Sequence, residues 1–600
     1  MRVHQPGSHL TRGGRPEVDD WSWARTKRRL RALYRLARPY KLRTAVAIGS
    51  LLGATAASLA PPYLVGHTVD LVNHGKTGKL VLFVVLFIAA GAVGIGLTYA
   101  QTYFTGWTGE RMLADLRGHL FRHLQRLSLG FYERNRAGVI ISRLTNDVEA
   151  LDQLVTDGVT SLVQNTLTLV GTAIILFFLD WRLALASMTI IPILAFATAM
   201  FRKRSARAYG AVRETLGAVT ATLAEDIAGM RVLQSFTRER QAHENFLQVS
   251  NRYRDSNMQT VVLSGVYFPV VDFLSSVATA VVLGYGGWLA FNHNVTIGTL
   301  VAFLGYLTNF FDPVQQLSQL YNTFLSAVAA LDKITDLLDE EPEVVDAPAA
   351  VALGRADGHV TFEDVRFAYG RGPEVLHGID LDIAAGTTVA LVGHTGAGKS
   401  TIAKLLARFY DPSDGRITID GVDLRNVAQE SLRRQLGIVP QEGFLFAGTV
   451  AENVAFGRRD ATRDEIEAAI RAVGADEFVA RLEHGLETQL GERGSRLSLG
   501  QRQLVAFARA LLADPRILIL DEATSSVDIG TEQKIEHALR TLLQGRTAFV
   551  IAHRLSTIRD SDTIVVLEHG RVVEQGTHDE LIAKRGLYLS LYGDWADQAA

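Results

Sequence analysis

The chain has 600 residues, with 61 Lys and Arg against 63 Asp and Glu and a hydrophobic fraction of 48%. This length supports several domains, and a formal net charge of −2 argues against a dedicated nucleic-acid binder, which is usually basic. There is no cysteine, which excludes disulfides, thiolate metal sites and thiol nucleophiles.

Residues 1–24 are polar and lack the apolar core of a signal peptide, so they read as a disordered tail. RTKRRLRALYRLARPYKLR, residues 25–43, carries nine Lys and Arg and no acid. An apolar segment follows at once, so the run reads as an elbow helix on the inner membrane surface rather than a nucleic-acid patch. Six apolar segments then occupy residues 44–69, 80–104, 160–179, 183–201, 261–291 and 298–320. Each is near or above the roughly 20 residues that a spanning helix needs. They predict a transmembrane domain over residues 25–338 with a cytoplasmic N-terminus, and six crossings return the chain to that side. Connections 105–159 and 202–260 are long, charged and spaced like helices. Loops of that length without structure are uncommon, so the membrane helices are expected to run on beyond the bilayer and turn there.

Asp272 and Asp312 fall near the middle of the fifth and sixth segments. Ionisable groups at that depth are costly and face a cavity or a partner, although Asp312 also suits a helix bend before Pro313. Phe268, Phe310, Phe311 and Tyr321 are candidates for the same path, with packing as the alternative. Carboxylates in a cavity would favour cationic amphiphiles. Residues 339–358 are rich in Ala, Pro and acid and read as a linker; a soluble α/β domain follows over 359–590, with a tail at 591–600.

VALVGHTGAGKST, residues 389–401, reads as a strand, a glycine loop and a helix start, with Gly393, Gly398, Lys399 and Ser400 in the phosphate-loop pattern. Its loop residues His394, Thr395, Gly396 and Ala397 can turn backbone N–H groups toward phosphate oxygens. The helix start at Lys399, Ser400 and Thr401 adds a favourable dipole. Lys399 is expected to reach the β- and γ-phosphates and Ser400 to bind Mg²⁺. RILILDEA, residues 516–523, has the continuous apolar run of a central parallel strand. It would deliver Asp521 and Glu522 at its C-terminal end, where α/β sheets bind ligands. Asp521 suits the Mg²⁺ sphere and Glu522 suits polarisation of the attacking water; taken alone, the acidic pair would equally fit a helix cap.

LSLGQRQ, residues 497–503, resembles the LSGGQ signature of ATP-binding cassettes, which ordinary phosphate-loop NTPases lack. Over residues 25–590 the chain resembles an ABC exporter half-transporter: a six-helix transmembrane domain followed by an α/β phosphate-loop NTPase. The resemblance implies that Tyr369 stacks on adenine, that Gln441 links Mg²⁺ to the membrane domain and that His553 contacts the γ-phosphate. It also implies that Ser498, Gly500 and Gln501 meet ATP held by a second protomer. GERG at 491–494 and SSVD at 525–528 match inter-site loops, and residues 131–148 and 225–246 match the two turns that dock on cassettes. ATP and Mg²⁺ are the implied cofactors. The implied partners are a second half-transporter, membrane lipid and an amphiphilic small molecule or lipid, exported or flipped by alternating access across the plasma membrane. No nucleic acid is expected.

Leu499 departs from the family, where glycine is usual. Either the side chain is neutral and the pair is a homodimer, or the signature is weakened as in heterodimers; an intact Glu522 and His553 beside an altered signature lean to the second. An ATP-gated channel or regulator would carry a damaged catalytic set, whereas Lys399, Gln441, Glu522 and His553 are all present. The apolar segments exclude a soluble cassette ATPase.

Overall fold

A computed structural model describes residues 37–75, 77–441, 443–521, 529–552 and 554–599. The sequence candidates Glu522 and His553, the SSVD run and most of the basic elbow lie outside the described residues. The chain separates into two units: Met1–Arg126 with Asn135–Glu340, and Leu127–Arg134 with Glu341–Ala600.

The first unit is helical. Its main helices are α1 (Lys41–Asn73), α2 (Leu80–Leu124), α4 (Val159–Leu179), α5 (Ile191–Ala228), α6 (Glu239–Phe291) and α7 (Ile297–Leu338); α3 (Leu129–Arg134) belongs to the second unit. Among the described residues, six helices are long and apolar enough to cross a bilayer. In α2 none of the most apolar window is buried, and Leu82, Val85, Ile88 and Ile95 are exposed on it. A water-facing helix keeps one apolar stripe, whereas one apolar all round requires an apolar surround. At 1.5 Å per residue α2 is about 68 Å long, more than twice the roughly 30 Å of hydrocarbon. The expected extension beyond the bilayer is thus built as continuous helix.

The core of this unit gathers Leu183, Tyr267, Val271, Ala278, Val282, Leu289, Phe303 and Tyr306 from three of the spans. α1 and α7 cross at Gly66 and Gly298, where a Cβ on Gly298 would lie 2.0 Å from the Gly66 carbonyl oxygen. Asp70 Oδ1 accepts from Gly298 N at 2.7 Å beside that crossing. α7 runs unbroken through Asp312 and Pro313. Phe311 is a core residue and does not line an open path; Phe268 and Phe310 are half-buried against the same core.

The second unit has an antiparallel sheet, β1 (Val360–Ala368), β2 (Glu374–Ile383), β4 (Asp414–Ile419) and β5 (Val422–Asp423), in the order β2-β1-β4-β5. A six-stranded sheet holds β3 (Thr388–Val392), β6 (Leu436–Val439), β7 (Ile517–Asp521), β8 (Thr547–Ile551), β9 (Thr563–Glu568) and β10 (Arg571–Gly576), in the order β10-β9-β3-β8-β7-β6. All its pairings are parallel except β9 with β10.

Strand alternation divides this unit into two cores. Val389 and Leu391 of β3, Ile517 and Ile519 of β7 and Phe549 of β8 face one core, with Ile402 and Leu405 of α8 (Lys399–Leu406). Ala390, Val392, Leu518, Leu520 and Val550 face the other, with Leu504, Val505 and Phe507 of α9 (Leu499–Leu512). Both faces being covered explains why these strands read as continuous apolar runs rather than alternating ones. The last helix, α10 (Leu587–Ala599), runs through the segment expected as a tail.

Candidate nucleotide site

Four neighbouring parallel strands end at one edge. β3 leads into the glycine loop, β7 ends at Asp521, and β6 is followed two residues later by Gln441. In the chain, Glu522 directly follows β7, and His553 stands two positions after the last residue of β8. This is the carboxyl edge at which open α/β sheets hold ligands.

The loop depends on glycine at two points. Gly393 has φ +148°, and a Cβ there would stand 2.2 Å from the Leu567 carbonyl oxygen. Gly398, at φ +106°, caps α8, and its Cβ would meet Leu376 at 2.6 Å. Side chains at both places would push the loop off the strands that support it. Lys399 is 8% exposed. Its Nζ donates to the carbonyl oxygens of Gly393 (2.7 Å) and His394 (3.1 Å). Burial lowers its pKa, and the Asp521 charge pulls the other way. The ammonium is therefore held within the loop's own curve, where a phosphate would relieve the burial of its charge.

His394, Thr395, Gly396 and Ser400 are exposed, while Ala397 and Thr401 are buried. Tyr369 is half-buried; its hydroxyl shares a hydrogen bond with Thr401 Oγ1 at 3.0 Å. Lys404 Nζ lies over the Tyr369 ring, 5.4 Å from its centroid. Tyr410 packs against the same ring at right angles, 5.2 Å between centroids. Lys404 and Tyr410 were invisible as site residues in the sequence, because neither belongs to a motif of fixed spacing.

Ser498 caps α9. Its Oγ accepts from Gln501 N at 3.3 Å, and Gln501 Oε1 accepts from Ser498 N at 3.0 Å. Ser-x-x-Gln is the sequence pattern of this reciprocal capping box. Gly500 is buried and Leu499 half-buried. Arg509, later in α9, donates to Asn453 O (2.8 Å), Asn453 Oδ1 (2.9 Å) and Phe444 O (3.0 Å), which ties the helix to the segment following Gln441. α8 and α9 lie in the two different cores, so the glycine loop and the signature segment stand on opposite faces of the parallel sheet.

Residues 44–314 match the family described as ABC transporter transmembrane region, and residues 376–525 match that described as ABC transporter. The chain is 43% identical over 545 residues to the ABC transporter ATP-binding protein YknV of Bacillus subtilis (strain 168), covering 90% of each. It is 38% identical over 561 residues to an ATP-dependent lipid A-core flippase of Syntrophus aciditrophicus (strain SB), covering 93% of each. Among solved structures it resembles a bacterial Atm1-family ABC exporter with ATP bound, with TM-score 0.78 and 34% identity over 93% of this chain and 98% of that one. Exporters of this type function as dimers. The chain belongs to the ABC transporter family and is a multi-pass membrane exporter that binds ATP and couples its hydrolysis to transport.

Proposed function

We propose that two half-transporters, this chain and a second of the same kind, sandwich ATP between the glycine loop of one cassette and the signature helix of the other. The observation that carries this reading is the placement of α8 and α9 on opposite faces of one sheet. A nucleotide that touches both elements then needs two cassettes. In this reading Tyr369 stacks on adenine, and the loop from Gly393 to Thr401 wraps the phosphates. Lys399 neutralises the β- and γ-oxygens, while Ser498 and Gly500 of the facing protomer close on the γ-phosphate. Having accepted from Gln501 N, the Ser498 hydroxyl keeps its proton to donate outward. Glu522 polarises the attacking water and His553 contacts the γ-phosphate.

The hydroxyl of Ser400, the amide oxygen of Gln441 and the carboxylate of Asp521 are hard oxygen donors at one sheet edge, a set that fits Mg²⁺. Bound there, Mg²⁺ would neutralise charge on the phosphate oxygens. The altered signature at Leu499 supports a heterodimer, with a homodimer as the alternative that the Leu499→Gly experiment decides. The basic run at 25–43 supports a plasma-membrane topology with the cassette on the cytoplasmic side.

The cargo is an amphiphilic small molecule or lipid, exported or flipped as the membrane domain alternates between inward and outward access. Asp272 and Asp312 are both exposed, and Asp272 Oδ1 accepts from Gln315 Nε2 at 2.8 Å. Carboxylates on membrane helices favour the cationic members of that class.

The test is ATP-dependent accumulation of a cationic amphiphilic dye in inside-out vesicles. Vesicles from native membranes, which carry the wild-type chain with its partner, should accumulate dye. Glu522→Gln vesicles should not, while the purified variant still binds ATP. Hydrolysis and accumulation near wild type in Glu522→Gln would overturn the assigned base.

A further inference from the structure

Leu127–Arg134 belongs to the second unit, although the chain on both sides of it belongs to the first. Its short helix α3 (Leu129–Arg134) is held by several groups at once. Ser128 Oγ accepts from Val344 N at 2.9 Å, and Arg134 pairs with Glu343 at 2.7 Å. Gly130 permits a close approach: a Cβ there would stand 3.0 Å from the Tyr410 ring and 2.7 Å from Glu343.

Glu133 has a more specific role. One carboxylate oxygen accepts from Lys404 Nζ at 2.8 Å and the other from the Tyr410 hydroxyl at 2.7 Å. These donors are two of the groups packed on Tyr369: the cation above its ring and one of the two rings set at right angles to it, the other being Phe367. Lys404 and Thr401 stand one turn apart on α8, so Tyr369 is also held through its hydroxyl by the same helix. The ion pair is mutual. Burial works against both charges, yet the hydrogen bonds from Lys404 and Tyr410 bring the Glu133 carboxyl below its usual range, and Glu133 with Tyr369 raises Lys404.

We propose that Glu133 is a positioning residue for the nucleotide base: by holding Lys404 and Tyr410 it fixes the ring of Tyr369, so the docked turn sets the affinity for ATP. Without the carboxylate, Lys404 loses its counter-charge and Tyr410 its acceptor, and two of the ring's supports relax together while Phe367 stays. Linkage makes the effect reciprocal: a base that orders Tyr369 tightens the hold on the turn, and the turn leads directly into the membrane helices. The inference rests on the reading of Tyr369 as the base-stacking residue.

The test compares equilibrium binding of ATP and of inorganic triphosphate, which has no base, to the full chain in nanodiscs without Mg²⁺. Tyr369→Ala should weaken ATP binding about tenfold, the scale of one base–aromatic stack, and leave triphosphate unchanged. Glu133→Ala should weaken ATP binding roughly three- to tenfold with triphosphate again unchanged, and the double variant should be no weaker than Tyr369→Ala, because the two act as one unit. Tyr410→Phe removes one hydroxyl with little change in packing; it should show a smaller loss with the same selectivity for ATP, and so covers the case in which Glu133→Ala fails to fold. Equal weakening of both ligands, additive losses in the double variant, or unchanged ATP affinity in Glu133→Ala and Tyr410→Phe would overturn the proposal. Unchanged ATP affinity in Tyr369→Ala would instead remove the base-stacking reading beneath it.

Discussion

Lys399 shows how far a motif reaches and where it stops. The phosphate-loop spacing fixes a short stretch of backbone, so the strand, the two constrained glycines and the helix start were legible in the sequence. What Lys399 does between ligands was not legible. It folds onto the carbonyl oxygens of Gly393 and His394, buried and partly compensated by Asp521. In the proposed site an arriving phosphate would satisfy its charge, so its contribution would lie in ground-state binding. Lys399→Ala should therefore weaken ATP binding by about tenfold or more, the scale of a lost charge-assisted contact. Glu522→Gln should leave ATP binding near wild type and remove turnover, because the role proposed for it is confined to the transition state. Nucleotide titration of the two variants checks this, and equal ATP affinities would sink the role given to Lys399. The Glu133 contacts lie at the opposite extreme of legibility: its partner Tyr410 is 277 positions away, and no local pattern encodes that pairing.

At the scale of elements, α9 carries its own stability and a proposed function. Its N-terminus is satisfied by the capping box, its apolar face by the second core, and its later turns by Arg509. Ser498→Ala removes the cap, which costs about 1 kcal/mol in typical helices. It also removes the hydroxyl assigned to a facing nucleotide. The expected result is a modest fall in melting temperature with a much larger loss of hydrolysis. A loss of hydrolysis no greater than the stability change explains would leave Ser498 as a cap alone. Helices elsewhere in the chain illustrate a second limit of sequence. Hydropathy exposes long spans and strand alternation exposes buried sheets. Two π-helical turns, Arg143–Asp147 and Leu154–Gly158, interrupt the helix leading into α4. The first of them sits where Asp147 and Arg143 meet Lys333 on α7, a tertiary pairing.

For the molecule as a whole, the open question is what stands opposite Leu499. Leu499 is the first residue of α9, directly after its cap and before the buried Gly500. In the asymmetric reading of the proposed ATP sandwich, a side chain at that position would limit how closely the helix start approaches phosphate. In a heterodimer the altered signature would serve one site only; in a chain expressed alone it would enter every site. The isolated chain should then hydrolyse ATP poorly, and Leu499→Gly should raise its rate several-fold. Such a rise could not come from stabilisation, because glycine in place of leucine costs up to about 1 kcal/mol in a helix. It would have to come from closer approach at the nucleotide. The measurement is steady-state hydrolysis by the purified chain in nanodiscs, with oligomeric state checked on the same samples. A wild-type chain that is already a stable dimer with substrate-stimulated hydrolysis, and a Leu499→Gly rate equal to it or below it, would make the leucine neutral and the pair symmetric.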